Sequence, residues 1–409
     1  MNEQLTVKNF GPIKNAVLDL NKITVLIGPQ GSGKSSLAKL VAIFNTSNFL
    51  VDGFIEKPSI EEYFARYQAQ YFLQDDTAIS FNTNSFIAHF TKKHSLDFST
   101  KEKDKIHFRS VFGSLPENPN KLQDLKGQWL EIPNRAKRGQ TNINSLLYSQ
   151  AFPLLYSEVK KLVQSSKYIP TDRLFISSIS DSILGLLRAE VALQKSTIEF
   201  GADFEIARSN NPTLFIDYLN ITYKYENGRN LVFHNDMDSV PLAASASGFQ
   251  SAIPLHLSVE NFAKEGNTNF IIEEPELNLF PTSQKYLVGY LADKCTKGNN
   301  ELLMTTHSPY VLSALNNLLF AYQVAQVLPE RKDEIAEIIP ESQWINPNDF
   351  SAYYIGEDAE GTIGGIRSIF NKKTGLIGEN ELDSISEELG DEFDTLMNIY
   401  RTRNRERVN

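Results

Sequence analysis

The segment GPQGSGKSS, Gly28 to Ser36, constrains the fold more than any other part of the sequence. It matches the pattern G-x-x-x-x-G-K-[ST], and it stands between the apolar run KITVLIG and an apolar-periodic stretch from Ser35 to Phe44. A glycine-rich turn between a buried strand and a helix lets backbone N–H groups surround phosphate oxygens, and the helix dipole adds to the attraction. The sequence therefore predicts an α/β fold with a phosphate-binding loop.

This loop predicts which residues contact ATP. Lys34 would neutralise the β- and γ-phosphates, and the Ser35 hydroxyl would ligate Mg²⁺. The predicted nucleotide-binding residues of the loop are Gly28, Pro29, Gln30, Gly31, Ser32, Gly33, Lys34, Ser35 and Ser36.

A second apolar run, FII, ends on the two carboxylates Glu273 and Glu274. Ligands of open α/β sheets bind at the carboxyl ends of the strands, and two acids ending a buried strand would otherwise cost desolvation energy. We therefore expect Glu273 to hold Mg²⁺ and Glu274 to orient or activate the water that attacks the γ-phosphate. Pro275 would stop the strand so that both carboxylates face the site. The structural alternative is a charged loop that follows a strand.

Two further segments carry candidate residues. The segment ASGFQS, 246–251, opens a predicted helix, where the backbone of Ser247 and Gly248 would form a second anion-binding site. Its place in the sequence does not put it near Lys34. The segment LLMTTHSP places His307 directly after another apolar strand, where its imidazole could contact a γ-phosphate or hold the attacking water.

The order GPQGSGKS, ASGFQ, FIIEEPELNLFP and TTHSP resembles the ABC/SMC-type ATPases, in particular the branch named for the OLD (overcoming lysogenization defect) proteins. The resemblance covers residues 1–45 and 166–315. Gln30 stands where that branch has Asn, and Glu273 where the wider superfamily has Asp. Ala246 and Phe249 depart from the transporter signature.

In such enzymes two heads enclose two ATP molecules. The resemblance therefore implies that Ser247, Gly248 and Gln250 act in trans, on the ATP of a second copy. It implies that Glu274 is the catalytic base and His307 the switch histidine. It also places Glu276–Leu279 in the loop that crosses the dimer interface.

The resemblance leaves two residue roles open. The glutamine that links Mg²⁺ to the fold has four candidates: Gln68, Gln70, Gln74 and Gln164. The segment KYIPTDR resembles a family segment near the nucleotide, which makes Arg173 a candidate phosphate sensor.

The predicted fold is an α/β ABC-type P-loop ATPase head with a mixed or parallel core sheet, in residues 1–45 and 166–330. Residues 46–165 are rich in aromatic and basic residues without strand–helix alternation, which predicts a mainly helical insertion, an arm or partner-binding segment. Residues 331–409 are predicted to be a C-terminal α/β extension. It ends in an acidic amphipathic helix, 381–400, and a basic tail; packing of that helix on its own core is favoured over a docking surface.

Charge and cysteine content bound the partners and the compartment. The net charge of −10 gives no bulk attraction to nucleic acid, but residues 92–138 hold eleven basic and six acidic residues, a local charge of +5. A solvated face is the favoured interpretation of that segment, with a nucleic-acid or acidic-protein contact as the alternative. The single Cys295 and the lack of a signal or membrane-spanning pattern predict a cytoplasmic protein with no membrane partner.

The nuclease pattern of the OLD proteins is not found in this sequence. That nuclease, of the TOPRIM type, needs a strand-end Glu followed by Asp-x-Asp. The segment YYIGEDAEG supplies a Glu but no Asp-x-Asp follows it, and Asp236-Met237-Asp238 is interpreted as a solvated turn. We expect a head without its own nuclease.

The resemblance then implies a homodimeric or larger assembly that switches with ATP. It would be the sensor subunit of a bacterial anti-phage system of the PARIS or Septu type. It would control a separate effector, a nuclease or toxin, with DNA or a phage protein as the trigger. The alternatives are a DNA-clamping ATPase of repair or recombination and, less favoured, a transporter's ATPase subunit.

Overall fold

The computed structural model describes residues 3–46, 49, 60–84, 86–92, 95–100, 165–179, 193–234, 239–378 and 388–399. The predicted turn at Asp236-Met237-Asp238 and the basic stretch 101–138 lie outside these residues.

The described residues form both strands, often several in succession, and α-helices. The strands are β1 (Glu3–Phe10), β2 (Ile13–Leu20), β3 (Ile23–Ile27), β4 (Leu73–Asn82), β5 (Phe86–Thr91), β6 (Ser95–Thr100), β7 (Ser165–Ile169), β8 (Thr213–Ile216), β9 (Ile221–Glu226), β10 (Arg229–Phe233), β11 (Ser239–Pro241), β12 (Thr268–Glu273), β13 (Glu301–Thr305), β14 (Phe350–Glu357), β15 (Ile363–Ser368), β16 (Phe370–Asn371) and β17 (Leu376–Ile377). The helices are α1 (Lys34–Phe44), α2 (Ile60–Arg66), α3 (Arg173–Ile179), α4 (Lys195–Asn210), α5 (Ser247–Phe262), α6 (Pro281–Lys294), α7 (Pro309–Val327), α8 (Lys332–Ile338) and α9 (388–399).

A six-stranded mixed sheet in the order β15-β14-β3-β13-β12-β7 carries the predicted site. Strands β14, β3, β13, β12 and β7 run parallel, and β15 is antiparallel at one edge. All five residues of β3 are buried: Val25 and Ile27 face one hydrophobic core and Leu26 faces the other. Burial on both faces explains why this strand reads as a continuous apolar run. The prediction of an α/β P-loop head with a mixed or parallel core sheet is confirmed.

Strand β14 corrects the predicted domain boundary at residue 330. It pairs in parallel with β3, with Ala352 opposite Val25, so the supposed C-terminal extension completes the core sheet. Its first six residues are buried, as expected of a strand inside a parallel sheet. The boundary was misplaced because a strand's sheet neighbour is not encoded in its own sequence.

A second sheet, β2-β1-β4-β5-β6, is antiparallel throughout. It corrects the prediction of a mainly helical insertion for residues 73–100, which are strands rather than helices. In β5 the buried residues Phe86, Ala88 and Phe90 alternate with more exposed ones, the period of a half-buried strand. Helix α2 agrees with the predicted helical character of the insertion. Residues 101–164 lie outside the described part of the chain, so the helical character predicted for them stays a prediction.

The hairpin β9–β10 turns at Asn227 and Gly228. Both residues have positive φ, 53° and 76°, as a two-residue turn that follows the strand twist requires. Helices α3 and α4, which precede this hairpin, begin at Arg173 and Lys195.

Helix α9 corrects the prediction that the C-terminal helix packs on its own core. Its apolar side chains Leu389, Phe393, Leu396 and Ile399 are all exposed. Within the described ranges, no single helix is long and apolar enough to cross a bilayer. One pair, Pro309–Val327 with Pro329–Ile338, passes that test only when joined across a bend of 119°.

Phe81 of β4 joins the second sheet to α1. Its ring stacks on Phe44 with centroids 5.5 Å apart, and both side chains are fully buried. We predict that Phe81→Ala lowers the free energy of unfolding by about 3–5 kcal/mol, because it leaves a cavity between the sheet and the phosphate-loop helix. Urea unfolding followed by circular dichroism measures this. Val17→Ala, on the exposed face of β2, is the control and should change stability by about 0.5 kcal/mol or less. Equal urea unfolding midpoints for Phe81→Ala and Val17→Ala would contradict the packing role of Phe81.

Candidate nucleotide site

The phosphate loop is shaped by glycines that no other residue could replace. Gly28 has φ 144°, and a Cβ there would lie 2.0 Å from the Ile355 carbonyl oxygen of β14. Gly33 has φ 107°, and a Cβ there would lie 2.5 Å from Ile13 Cδ1 of β2. Both positions combine a left-handed backbone with a close neighbour. The loop is therefore held between the core sheet and the second sheet.

Lys34 lies buried inside this loop. Its Nζ donates hydrogen bonds of 2.8 Å to the carbonyl oxygens of Gly28 and Pro29. Burial lowers the pKa of Lys34 to about 8, while Glu274, Glu273 and Glu276 act in the opposite direction. At neutral pH the ammonium is therefore mostly charged, and it sits beside the carbonyls that frame the predicted phosphate position.

Glu273 ends β12 as a buried carboxylate. Burial raises its pKa; hydrogen bonding to Tyr168 and Ser35 and the charge of Lys39 act against that rise. Its Oε1 is buried without a hydrogen-bond partner. Ser35 and Glu273, the two predicted Mg²⁺ ligands, are thus neighbours, and one of their oxygens is unsatisfied.

A magnesium ion fits this pair. Mg²⁺ takes oxygen ligands and is commonly held by one or two protein side chains together with substrate phosphates and water. The described residues contain no cluster of three or more His, Cys, Asp or Glu arranged for a metal. An ion here would therefore depend on phosphate oxygens to complete its coordination.

The structure brings the predicted base and the predicted switch histidine together. His307 Nε2 lies 3.4 Å from Glu274 Oε1, and both side chains are about one-third exposed. Burial and the charge of Lys34 lower the pKa of His307, whereas Glu274 raises it. The histidine is therefore biased towards its neutral form, in which a ring nitrogen can accept a proton.

The expectation that residues 276–279 form a loop across a dimer interface stays a prediction. Glu276 itself is buried within its own chain. Its Oε1 accepts hydrogen bonds from Thr306 Oγ1 at 2.6 Å and from the His307 N–H at 3.0 Å. Glu276 therefore holds the segment that carries the switch histidine. Of the expected interface segment, Asn278 is the exposed residue.

A second contact ties the same two segments together. Gln284 of α6 donates from Nε2 to the Leu279 carbonyl at 2.8 Å, and its Oε1 accepts from Ser308 Oγ at 2.5 Å. Together with Glu276, this glutamine holds residues 276–279 against residues 306–308. Gln284 was not predicted, because its position four residues into a helix gives no sign of its partner.

The signature residues group with the loop after β12. A Cβ on Gly248 would lie 2.9 Å from the Asn278 carbonyl oxygen, so only glycine allows this approach. Gln250 Nε2 donates to the carbonyls of Ser245 at 2.8 Å and Ala243 at 3.1 Å. Ser247 is exposed at the start of α5. Action of Ser247, Gly248 and Gln250 in trans stays a prediction.

Arg173 is not a phosphate sensor in this structure. Its side chain is fully buried, and its donors are directed at Ser251 Oγ and at the carbonyls of Pro170, Glu273 and Glu274. These partners lie on three segments: the residue directly after β7 (Pro170), the signature helix (Ser251) and the acidic strand end (Glu273 and Glu274). The phosphate-sensor prediction is corrected because the guanidinium of Arg173 points into the protein.

Three of the four glutamines considered as the residue that links Mg²⁺ to the fold lie in the described part of the chain. Gln74 Nε2 donates to the Gly11 carbonyl at 3.0 Å, and Gln70 Oε1 is buried without a hydrogen-bond partner. Gln68 has a positive φ of 54° at a turn, and Gln164 lies outside the described residues. Tyr168 of β7 was not predicted as a neighbour of Glu273.

The sequence model of one protein family, described as AAA ATPase domain, matches residues 1–312. This range includes the phosphate loop, the signature, the acidic strand end and His307. It covers about three-quarters of the chain.

One curated relative is an OLD nuclease from Thermus scotoductus, 24% identical over 348 residues. The match covers 76% of this chain, which spans 59% of the length of that relative. Among solved structures, the SMC head domain from Thermotoga maritima is 10% identical with a TM-score of 0.36, covering 77% of this chain and 92% of that one. An Smc head bound to the C-terminal domain of ScpA, derived from Pyrococcus furiosus, is 14% identical with a TM-score of 0.34, covering 76% and 90%.

Lys34 makes the pH dependence of nucleotide binding predictable. Because phosphate favours the ammonium form, binding above pH 8 requires proton uptake by Lys34, whose pKa in the free protein is about 8. The affinity for a non-hydrolysable ATP analogue should be flat below that pH and fall by up to about tenfold per pH unit above it. Calorimetric titration at several pH values measures this. Lys34→Arg, always charged, should lose the dependence; the same slope in both proteins would contradict the assignment.

Proposed function

This chain belongs to the family of AAA ATPase domains, and we propose that it hydrolyses ATP with Glu274 as the base. The observation that supports this proposal is that Glu274 Oε1 lies 3.4 Å from His307 Nε2, beside Lys34 in the phosphate loop. Glu274 would accept a proton from the water that attacks the γ-phosphorus, and the bond to the β-phosphate oxygen breaks to release ADP. Lys34 would neutralise charge on the transferred phosphoryl group, and His307 would orient the water.

Mg²⁺ would be held by Ser35 and Glu273. When bound, such an ion neutralises and orients the phosphate oxygens. The unsatisfied Oε1 of Glu273 and the adjacent Ser35 hydroxyl support this position. Tyr168 and Lys39 would keep the Glu273 carboxylate ionised and directed at it.

The active unit would be a homodimer, or a larger homo-oligomer, assembled around ATP. The signature of one copy would contact the γ-phosphate held by the other. The close packing of Gly248 on the Asn278 carbonyl supports this, since it presents the signature and the loop after β12 as one surface. The exposed ring of Phe280 lies directly after that loop.

In the cell the chain would be the sensor or switch subunit of a bacterial anti-phage system, acting in the cytoplasm. It would hold or release a separate effector, a nuclease or toxin, when DNA or a phage protein triggers the ATP cycle. Similarity to an OLD nuclease, over part of that protein's length, supports a link to nuclease control.

Glu274→Gln tests the base. We expect hydrolysis to fall by about 10²–10⁴-fold, because the amide cannot accept the proton, while ATP binding persists. Native mass measurement with ATP should show the variant trapped as the assembled form. Lys34→Ala is the control: it should neither bind ATP nor assemble. Hydrolysis at the normal rate in Glu274→Gln would remove Glu274 from the role.

The second candidate function is a DNA-clamping ATPase of repair or recombination. The local charge of +5 over residues 92–138 favours it. For this candidate, duplex DNA should stimulate hydrolysis, and binding should weaken steeply with salt, with a log–log slope of about 0.9 per phosphate contact.

A charge-reversal pair locates any such DNA contact. Changing Lys101, Lys103 and Lys105 to Glu should abolish DNA binding. The same change at the exposed Lys8, Lys372 and Lys373 should leave most of it. Absence of any DNA response at low salt would exclude the clamp and leave the sensor proposal.

A further inference from the structure

Arg173 links the signature helix to the acidic strand end through four hydrogen bonds. Its Nε donates to Ser251 Oγ of α5 at 3.0 Å. Its Nη1 donates to the carbonyls of Pro170 at 3.0 Å and Glu273 at 2.7 Å, and Nη2 donates to the Glu274 carbonyl. A buried guanidinium is costly, and the fixed fork of its donors suits a site where geometry matters.

The charge on Arg173 is retained despite its burial. Burial lowers its pKa to about 10, and the charges of Glu276, Glu274 and Glu273 act against this. The group is therefore protonated at neutral pH. Arg173 donates to three carbonyls and one hydroxyl, all of which are uncharged groups. None of the four hydrogen bonds is part of an ion pair, so each depends on where the guanidinium lies.

The helix that begins at Arg173 is also fastened to the signature. Pro254 lies inside α5 and has no N–H, so the Gln250 carbonyl four residues earlier lacks its helical donor. Ser177 Oγ donates to that carbonyl at 2.6 Å. Helix α3 is thus bound to the signature helix two residues after Gly248, and it would follow a displacement of that helix.

At the other end of this connection, the backbone of Glu274 is strained. Its φ is +43°, a left-handed conformation that costs about 1–2 kcal/mol for a residue with a side chain. It is maintained by the Glu274 N–H, which donates to the Thr305 carbonyl at 3.0 Å, and by Arg173 at the Glu274 carbonyl. The direction of the Glu274 carboxylate therefore depends on Arg173.

We propose that Arg173 is a positioning residue that couples the signature helix to the catalytic base of the same chain. Contact of the signature with ATP on a second copy would displace α5, and Ser251 and Arg173 would pass that displacement to Glu274. Each head would then hydrolyse its own ATP at full rate only when its signature is engaged. This inference rests on the proposed function.

The test compares Arg173→Lys and Ser251→Ala with the wild-type full chain. Lysine keeps the charge but cannot make the four bonds, so kcat should fall about 10–100-fold with KM within about threefold. Ser251→Ala removes only the hydrogen bond of Arg173 to α5, and the Ser177 bond to the Gln250 carbonyl remains. This substitution should remove the rise of specific activity with protein concentration that assembly causes in the wild type. Ser209→Ala, at an exposed hydroxyl bonded within its own helix, is the matched control and should behave as wild type.

A second measurement separates positioning from a merely structural role. In the Glu274→Gln background, Arg173→Lys should still assemble with ATP, as Glu274→Gln alone does. Loss of ATP-driven assembly together with kcat, or an unchanged kcat in Arg173→Lys, would overturn the proposal. A rise of specific activity with protein concentration in Ser251→Ala equal to that of the wild type would also overturn it. This measurement can be made even if Arg173→Lys does not fold. A wild type that neither hydrolyses ATP nor assembles with it would instead refute the proposed function.

Discussion

Charged groups withdrawn from water at the end of β12 impose the strongest constraint on this structure. Glu273, Glu276, Lys34 and Arg173 are all buried, and Glu274 is partly so. Burial alone would neutralise such groups, and it raises the pKa of Glu273 and Glu276 and lowers those of Lys34 and Arg173. The charges of Glu273, Glu274 and Glu276 act to raise the pKa of Lys34 and of Arg173, which favours the protonated form of both. Removing one member would leave another uncompensated, at a cost of several kcal/mol.

This mutual compensation joins elements that are distant in the sequence. Lys34 follows β3, Arg173 follows β7, and the carboxylates follow β12, and the parallel sheet places these three strand ends at one edge. With both cations and all three carboxylates ionised, one negative charge is left over. A triphosphate adds more, so we infer that a divalent cation at Ser35 and Glu273 balances the site when ATP binds.

Local signals in the sequence identified Lys34, Glu274 and His307, the candidate site residues that the structure brings together. A glycine pattern between a strand and a helix, and acids after an apolar run, both depend on residues adjacent in the chain. Partners distant in the chain were not predictable in the same way. The four acceptors of Arg173 lie on three segments, and the anchors of Glu276 lie 30 residues away, so the sequence around Arg173 and Glu276 did not indicate these contacts. The strands at 73–100 were missed because their buried aromatic residues were taken as a sign of helices.

The dipeptide Glu273-Glu274 shows how strain can serve such a site. In a regular strand, successive side chains point to opposite faces, so only one of two adjacent carboxylates would reach Lys34. The left-handed φ of Glu274 ends this alternation, and both carboxylates act on Lys34. Pro275 disfavours the right-handed helical region for the residue before it and cannot extend the ladder. Arg173 on one side, and Glu276 with Thr306 and His307 on the other, then fix the bend. Residues 273–276 are therefore the junction at which the signature helix, the switch histidine and the phosphate loop meet.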